Sequence, residues 1–265
     1  MLVTRSDATG VFAGQRIGRP RTITAMGRLA LVGGHSIMGI IDDLTRILGD
    51  VQHLTVEGEQ GAVTVIDGGE VVVLQRHGLD SYTPAHRIDH AANLSALTML
   101  GCDRVLAMSS VGSLRVEIPV ATIVVPDDFV ALEAPPTSVH HDARSHIVPG
   151  FAPEWRTRVL GTWREHDHGE VIDGGVYWQT NGPRFETPAE VGYLAAHADL
   201  VGMTVGSECI VACELGIAYA AICVVDNLAN GLGDSLLTRE AFEAGKAANS
   251  ARVLRTLAEV LPVLA

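Results

Sequence analysis

Two kinds of apolar pattern alternate along this chain from Arg28 onward. Short runs rich in β-branched residues predict strands, and longer stretches whose apolar positions recur every three or four residues predict helices. The predicted strands are Leu29–Val32, Val51–Val56, Val63–Ile66, Val71–Leu74, Arg104–Met108, Thr122–Val125, Val171–Gln179, Leu200–Met203 and Ala218–Val225. The predicted helices are Ile88–Leu100, Glu154–Glu165, Pro188–Ala196, Glu208–Leu215 and Arg239–Val260.

These strands are bounded by helices and glycines, and they lack a clean alternation of apolar and polar positions. Such strands are typical of a largely parallel sheet that helices cover on both faces. We therefore predict a single-domain α/β fold with a mixed, largely parallel β-sheet, spanning residues 28–265. Residues 1–27 are rich in Gly, Arg and Thr without an apolar period, which predicts an N-terminal extension or a frayed leader. Residues 131–150 form the longest stretch without a predicted element, and loops of that length are usually functional or disordered.

Composition narrows the class of protein and its partners. With 47% hydrophobic and 19% charged residues, the 265-residue chain is globular rather than disordered or coiled-coil. Its net charge is −12 and no stretch clusters basic residues, so we expect neither nucleic acid nor an anionic membrane as a partner. The longest apolar run, Ile217–Val225, is about half of the roughly 20 residues that span a bilayer. The start of the chain lacks the apolar core of a signal peptide, so we expect a cytoplasmic protein.

Three predicted strands end in residues that can bind an anion. Backbone N–H groups in Gly33–Ser36, the guanidinium of Arg76 in Gln75–Gly78, and the hydroxyls in Met108–Arg115 are donors that suit an oxyanion. The glycine pair fits neither a dinucleotide-binding fingerprint nor a P-loop. Each segment alone also fits a plain turn or a surface Arg-His pair. Together, the three predict one anion site in the crevice of the sheet.

Two further segments carry groups that suit a flat heterocycle. The end of Asn181–Thr187 reads as a helix cap, with Glu190 completing a capping box, but a cap leaves Phe185 and Glu186 unexplained. An aromatic face beside a carboxylate can seat a ring that carries N–H donors. Asn227 follows the last predicted strand, and its amide can both donate and accept hydrogen bonds.

The motifs GG-x-S, RHG, SSVGSLR, NGPRFET, VGMT and VDN occur in this order between Gly33 and Asn227. This ordered set resembles the trimeric purine nucleoside phosphorylases and their methylthioadenosine phosphorylase relatives, over the whole chain except residues 1–27. The resemblance implies a nucleoside phosphorylase fold, a homotrimer, and phosphate-dependent cleavage of the N-glycosidic bond of purine nucleosides in purine salvage. The products would be the free base and a ribose 1-phosphate. Phosphate is then a co-substrate, and no metal or organic cofactor is implied.

The resemblance also assigns roles to individual residues. The residues that would bind phosphate are His35, Ser36, Arg76, His77, Ser109, Ser110 and Thr204. The residues that would hold the base and ribose are Val111, Gly112, Phe185, Glu186, Met203, Asn227, Ala229 and Thr238, together with His146 reaching in from a neighbouring subunit. Among all of these, Arg76, Glu186 and Asn227 would be catalytic.

The same resemblance implies which base is cleaved. Relatives that act on 6-aminopurines carry Asp where this chain has Asn227 and a small residue where it has Glu186. We therefore expect inosine- or guanosine-type substrates, or 5′-methylthioinosine. Thr238 stands where the ordinary 6-oxopurine enzymes place a histidine beside the ribose 5′-hydroxyl, and leucines in residues 228–237 indicate an apolar wall there.

Two departures from the family pattern keep alternatives open. His35 replaces a small hydroxyl residue of the phosphate loop, and Asp226 adds a charge that would either raise a pKa or pair with a neighbour. A hydrolytic nucleosidase is the alternative if His35 excludes phosphate. A 5′-methylthioadenosine phosphorylase and a non-catalytic binder of purine nucleosides are the other two.

Overall fold

The computed structural model describes residues 2–5, 15–16, 27–135, 137–233 and 237–265. Its strands are β1 (Leu2–Arg5), β2 (Gln15–Arg16), β3 (Arg28–Gly33), β4 (Gln52–Gly58), β5 (Gly61–Asp67), β6 (Val71–Gln75), β7 (Cys102–Ser113), β8 (Ile123–Val125), β9 (Asp128–Val130), β10 (Val171–Asp173), β11 (Val176–Gln179), β12 (Leu200–Gly202) and β13 (Ala218–Leu228). Its α-helices are α1 (His35–Met38), α2 (Ile41–Leu48), α3 (His90–Met99), α4 (Pro153–His166), α5 (Pro188–Leu194), α6 (Val205–Leu215) and α7 (Arg239–Leu264).

The strands form one mixed sheet whose centre, β6-β3-β7-β13, is parallel. Along β3, Leu29 and Leu31 pack into the apolar core on one face of the sheet, while Ala30 and Val32 pack into the core on the other. A strand with both faces buried has no polar side to show, which is why the sequence lacks alternation there. This confirms the predicted α/β class and the central parallel sheet.

Helices cover both faces of this sheet. Helices α3 and α6 pack together on one face, and α4 and α7 pack together on the other. Gly245 lets α7 approach β13, because a β carbon at this position would collide with the carbonyl oxygen of Asp226. Within the described residues, no helix has the length and apolar character needed to cross a membrane.

The structure corrects several predicted boundaries. The segment predicted as one strand, Val171–Gln179, is divided into β10 and β11 by Gly174 and Gly175, whose φ angles are 93° and 114°. Positive φ favours glycine and ends the extended run, so the two pieces pair with different neighbours. Strand β7 continues to Ser113, well beyond the predicted end at Met108. Helices α1 and α2 and strand β9 were not predicted, and each is short.

The chain N-terminal to β3 adds two short strands at the sheet edge. Strand β1 pairs antiparallel with β4 and with β2, and residues 1, 6–14 and 17–26 of the predicted extension lie outside the described residues. The predicted loop 131–150 is fastened to α6, because the Glu214 carboxylate accepts hydrogen bonds from the Ser138 hydroxyl and the Val139 N–H, at 2.9 and 2.8 Å.

Candidate active site

A cavity of about 500 Å³ opens at the carboxyl ends of β3, β6, β7 and β13. Most of the residues predicted to form a site line it, although they come from separate parts of the sequence. Those residues are His35, Arg76, His77, Ser109, Ser110, Val111, Gly112, Phe185, Glu186, Met203, Thr204, Asn227 and Ala229. The parallel strands bring them together because their carboxyl ends meet at one edge of the sheet.

Arg76 defines one end of the cavity, here called the Arg76 end. Its Nε and Nη2 donate to the two carboxylate oxygens of Glu208 at 2.6 and 2.8 Å, and its Nη1 donates to the Met108 carbonyl at 2.9 Å. Burial alone would lower the pKa of Arg76, but the Glu208 carboxylate more than offsets this and leaves it above its ordinary value. A guanidinium has five N–H donors. One N–H therefore remains on each of Nη1 and Nη2, and these two groups, here called the free edge of Arg76, can bind an oxyanion.

Gly34 leaves room for a ligand atom against this edge. A β carbon on Gly34 would lie 3.0 Å from Arg76 Nη1 and 3.0 Å from His77 Nε2. His77 Nδ1 lies 2.8 Å from the Thr83 carbonyl oxygen, which can only accept, so Nδ1 carries the proton. Burial chiefly lowers the pKa of His77 to about 3, and the ring is neutral near pH 7. Its Nε2 is therefore a hydrogen-bond acceptor that faces the same space.

Hydroxyl groups complete the Arg76 end. Ser109 and Ser110 lie within β7, rather than in a loop after it. Thr204 is the residue before α6, and its hydroxyl makes no capping hydrogen bond with that helix. Its backbone N–H donates to the Tyr177 hydroxyl at 3.1 Å, which fixes the turn that presents it. The Thr204 hydroxyl can therefore serve a ligand.

Phe185, Glu186 and Asn227 are a second group of lining residues, here called the Glu186 end. Glu186 is buried, and its Oε1 accepts a hydrogen bond from the Thr180 hydroxyl at 2.7 Å, which leaves Oε2 for a ligand. Asn227 Nδ2 donates to the Leu228 carbonyl at 2.8 Å, so one amide N–H and the amide oxygen stay available.

A β-bulge at Asp226 gives the adjacent residues Asp226 and Asn227 different surroundings. Val225 pairs with Val111 of β7, Asn227 pairs with the next residue, Gly112, and Asp226 is the extra residue between them. Asp226 Oδ1 accepts a hydrogen bond from Asn249 Nδ2 of α7 at 2.7 Å, and burial raises the pKa of Asp226. Asp226 therefore pairs with a neighbour, while Asn227 lines the cavity.

The α7 wall is the part of the cavity that sequence reasoning missed. It consists of Arg239, Phe242, Glu243 and Lys246, and the other residues added by the structure are Met38, Tyr82, Ala85, Pro183, Val201 and Gly202. Leu237, one of the leucines expected to form an apolar wall, also lines the cavity. Phe242 contacts Phe185 and His35, with ring centroids 5.6 and 5.8 Å apart, and so touches both ends of the cavity. The four α7 residues are three or four positions apart, so they share one helix face. This spacing could have been recognised in the sequence.

Sequence reasoning also missed Glu208, which contacts Arg76 without lining the cavity. It lies in an apolar stretch of α6 and is fully buried against Arg76. A carboxylate that interrupts an apolar helix was the available signal, since buried carboxylates are almost always paired.

Three predicted site residues lie outside the cavity of this chain. Ser36 follows His35 in α1, where successive side chains point about 100° apart, and it is buried in the protein instead. Thr238 is exposed, and its hydroxyl accepts a hydrogen bond from the Ala241 N–H as the cap of α7. His146 is exposed on the 131–150 loop, so a role in a neighbouring subunit stays a prediction.

Comparison with known proteins places this arrangement in a family. A sequence model described as "Phosphorylase superfamily" matches residues 28–262. The chain is 39% identical over 223 residues to an Archaeoglobus fulgidus protein named "Probable 6-oxopurine nucleoside phosphorylase", covering 82% of this chain and 89% of that one. It is 33% identical over 217 residues to a Methanocaldococcus jannaschii protein named "Probable S-methyl-5'-thioinosine phosphorylase", covering 79% and 82%.

The fold is shared with a solved structure of more distant sequence. Methylthioadenosine phosphorylase from Schistosoma mansoni, in complex with adenine, matches with a TM-score of 0.77 and 21% identity. The match covers 90% of this chain and 91% of that one.

Proposed function

This chain belongs to the phosphorylase superfamily, and we propose that it uses inorganic phosphate to cleave the N-glycosidic bond of 6-oxopurine nucleosides. The observation that carries the proposal is that one cavity is lined both by Arg76, with its remaining N–H groups, and by Glu186 with Asn227. An oxyanion and a heterocycle that bind at these two ends flank the space where a sugar would lie. The relative named as a 6-oxopurine nucleoside phosphorylase supports the same reaction.

The proposed reaction uses the Arg76 end to hold the nucleophile. Phosphate bound to Arg76, Ser109 and Thr204 attacks C1′ of the nucleoside as the bond from C1′ to the base nitrogen breaks. The bonding electron pair leaves with the base, which takes up the proton that hydrogen phosphate gives up, so that the products are a ribose 1-phosphate and the free purine. Fixing phosphate beside C1′ supplies several kcal/mol of the barrier reduction, because the reactants no longer have to find each other in solution. The proposal requires no metal or organic cofactor.

At the Glu186 end, the proposed role of the side chains is to stabilise the leaving purine. Negative charge develops on the base as the bond breaks, and the free N–H of Asn227 can donate to it. The carboxylate of Glu186 accepts a hydrogen bond from the ring N–H that 6-oxopurines carry. Both groups are buried, so their hydrogen bonds form with little competition from water.

A second candidate nucleoside is 5′-methylthioinosine. Met38, Ala85, Leu237 and Phe242 give the cavity apolar lining, while the Thr238 hydroxyl is used to cap α7. An apolar lining gains about 0.8 kcal/mol for each buried methylene-sized group, so an alkylthio substituent is favoured over a hydroxyl. The Methanocaldococcus jannaschii relative carries the corresponding name. Comparing kcat/KM for inosine and 5′-methylthioinosine decides between the two nucleosides.

We also propose a homotrimer in which His146 completes the neighbouring subunit's cavity. His146 and Val148 lie on the exposed part of the 131–150 loop, and Val148 is 97% exposed, as expected for a residue that another subunit covers. Light scattering gives the subunit number, and His146→Ala should weaken nucleoside turnover in a preparation that is still trimeric. A monomeric protein with full activity would contradict this part of the proposal. A cytoplasmic location stays a prediction from the sequence.

One experiment tests the reaction itself. Inosine, guanosine, 5′-methylthioinosine, adenosine and 5′-methylthioadenosine are incubated with the protein, with and without phosphate, and the released base is measured. We expect hypoxanthine or guanine release only with phosphate or arsenate. Equal release in phosphate-free buffer would establish a hydrolase, and a preference for the adenine nucleosides would establish a methylthioadenosine phosphorylase. Binding without turnover of any nucleoside would leave a non-catalytic binder.

A further inference from the structure

Glu208 is a buried acid that is hydrogen-bonded to Arg76 from outside the cavity. It lies in the first turn of α6, and its side chain is fully buried. Its Oε1 accepts from Arg76 Nε, and its Oε2 accepts from Arg76 Nη2 and from the Tyr219 hydroxyl, the last at 2.7 Å. An ionised carboxylate withdrawn from water this completely needs a cation and further donors to offset the loss of hydration. Glu208 has both.

Arg76 supplies the positive charge that Glu208 needs. His90 Nδ1 is 3.8 Å from Glu208 Oε1, but burial lowers the pKa of His90 to about 4, so this ring is neutral near pH 7. Burial and the Glu208 charge raise the pKa of Tyr219 well above its ordinary value, so the phenol stays a neutral donor. Among the described side chains in contact with Glu208, Arg76 is therefore the charged partner.

These contacts determine which edge of the guanidinium faces the cavity. Glu208 takes the edge formed by Nε and Nη2, and the Met108 carbonyl takes one hydrogen of Nη1. One hydrogen of Nη1 and one of Nη2 remain as the free edge, and Nη1 adjoins the space that Gly34 leaves open. Helix α6 also follows directly from Thr204, whose carbonyl accepts the Glu208 N–H at 3.1 Å. The first turn of α6 therefore positions both the Thr204 hydroxyl and, through Glu208, the Arg76 guanidinium.

We propose that Glu208 is a positioning residue for the phosphate co-substrate: it holds Arg76 so that the two N–H groups of its free edge bind oxygens of the anion. This inference rests on the proposed function. Because Glu208 already balances the Arg76 charge, the site binds phosphate through the direction of its donors rather than through excess positive charge. Replacing the carboxylate with a neutral amide weakens phosphate binding, although it makes the site more positive.

The decisive variant is Glu208→Gln, which keeps the shape of the side chain. One of its two terminal atoms becomes an N–H donor, and it faces an Arg76 donor whichever way the amide is turned. We expect the phosphate KM to rise at least tenfold, with the nucleoside KM within about threefold of wild type. Glu208→Asp keeps the charge and should recover part of the phosphate affinity.

Asp167 provides a matched structural control. It is a buried carboxylate away from the cavity that, like Glu208, accepts two hydrogen bonds from an arginine, Arg252, at 2.8 and 2.9 Å, and one from an aromatic side chain, Trp163 Nε1, at 2.8 Å; it also accepts one from the Gly169 N–H at 3.1 Å. We expect Asp167→Asn to lower Tm without changing the phosphate KM. If Glu208→Gln behaves like Asp167→Asn, Glu208 is only structural and the inference is overturned.

A second readout and a milder variant keep the test decisive. Titration calorimetry with inorganic phosphate measures binding without turnover, so a protein that binds phosphate but does not use it refutes the proposed function alone. Phosphate binding that is equally tight in wild type and Glu208→Gln refutes the positioning role alone.

If Glu208→Gln does not fold, Tyr219→Phe decides, because it removes one donor to Glu208 and keeps the ion pair. A phosphate Kd about threefold weaker supports the role, and an unchanged Kd overturns it.

Discussion

At the Arg76 end of the cavity, Arg76 and His77 are buried, and a hydrogen-bond partner orients each of them, Glu208 for Arg76 and the Thr83 carbonyl for His77. On the α7 wall, Arg239 is exposed, and Phe242 and Lys246 are partly exposed. A buried group that hydrogen bonds hold in one orientation presents its remaining donors or acceptors in one direction. A partly exposed helix face can change its side chains at little cost to stability. We therefore expect the phosphate requirement to be rigid and the preference for the 5′ substituent to be adjustable.

The largest effect is expected from removing the guanidinium. Arg76→Ala should lower kcat/KM for phosphate by roughly 10²-fold or more, because a charged donor to the reacting anion is lost. It should also lower the free energy of unfolding by about 3–5 kcal/mol, since Glu208 is left buried without its cation. Urea unfolding and initial rates at varied phosphate measure the two effects.

Arg46 supplies the control for Arg76. It is an exposed arginine paired with Asp43 on α2, so Arg46→Ala should change the free energy of unfolding by no more than about 0.5 kcal/mol and leave the kinetics unchanged. If Arg76→Ala and Arg46→Ala had the same phosphate KM, Arg76 would contribute no more to phosphate binding than an exposed arginine does.

Base preference tests the Glu186 end. Asn227→Asp should lower kcat/KM for inosine by about 10²-fold, because a carboxylate cannot donate to the purine and faces its O6 without a hydrogen bond. Adenosine should gain relative to inosine, since the carboxylate accepts a hydrogen bond from an exocyclic amine. Kinetics with both nucleosides measure the change, and an unaltered ratio would show that Asn227 does not select the base.

Sulfate tests the acceptor at the Arg76 end. The neutral His77 presents Nε2 as an acceptor, so it can take a hydrogen bond from the P–OH of phosphate but not from sulfate, which carries no proton near pH 7. We expect sulfate to compete with phosphate at least about tenfold more weakly, a difference of about 1.4 kcal/mol. Arsenate, which carries a proton, should bind like phosphate. Equal inhibition by sulfate would mean that His77 donates to the anion.

A substitution on the α7 wall should weaken nucleoside binding and leave the phosphate KM nearly unchanged. Phe242→Ala should raise the KM for 5′-methylthioinosine about fivefold, because apolar contact with the nucleoside is lost, while the phosphate KM stays within about twofold. Thr238→Ala is the control: it removes the cap of α7, at a cost of about 1 kcal/mol, without removing a side chain from the cavity. Coupled losses of phosphate and nucleoside affinity in Phe242→Ala would contradict the separation of the two regions.

The smallest effect concerns stability against pH at Asp226. Burial raises the pKa of Asp226 in the folded protein, so its contribution to stability is complete at low pH and is lost as pH rises through the folded pKa. Asp226→Asn keeps the hydrogen bond from Asn249 and cannot ionise. It should therefore be more stable than wild type at pH 8, by about 1 kcal/mol, with the advantage shrinking toward pH 4. Thermal unfolding over this range measures it, and a constant difference would refute the assignment.

The sequence predicted the parts of the site that depend on chain direction alone. Gly34, Arg76, Ser109 and Asn227 all lie at or near the carboxyl ends of parallel strands, so recognising the strands was enough to bring them together. The partners that hold these residues depend on packing. Glu208 is 132 positions from Arg76, and no local pattern pairs them. The α7 wall was missed for a related reason, since its spacing shows one helix face but not what that face covers.

The bulge in β13 places two adjacent residues in different surroundings, with Asp226 inside the protein against Asn249 and Asn227 in the cavity. An exchange between amide and acid therefore changes the cavity lining at position 227, whereas at position 226 it changes the stability of the fold. A single base change converts an asparagine codon into an aspartate codon. Under the proposed function, one such step at position 227 shifts the base preference, while the hydrogen bond from Asn249 to Asp226 stays in place.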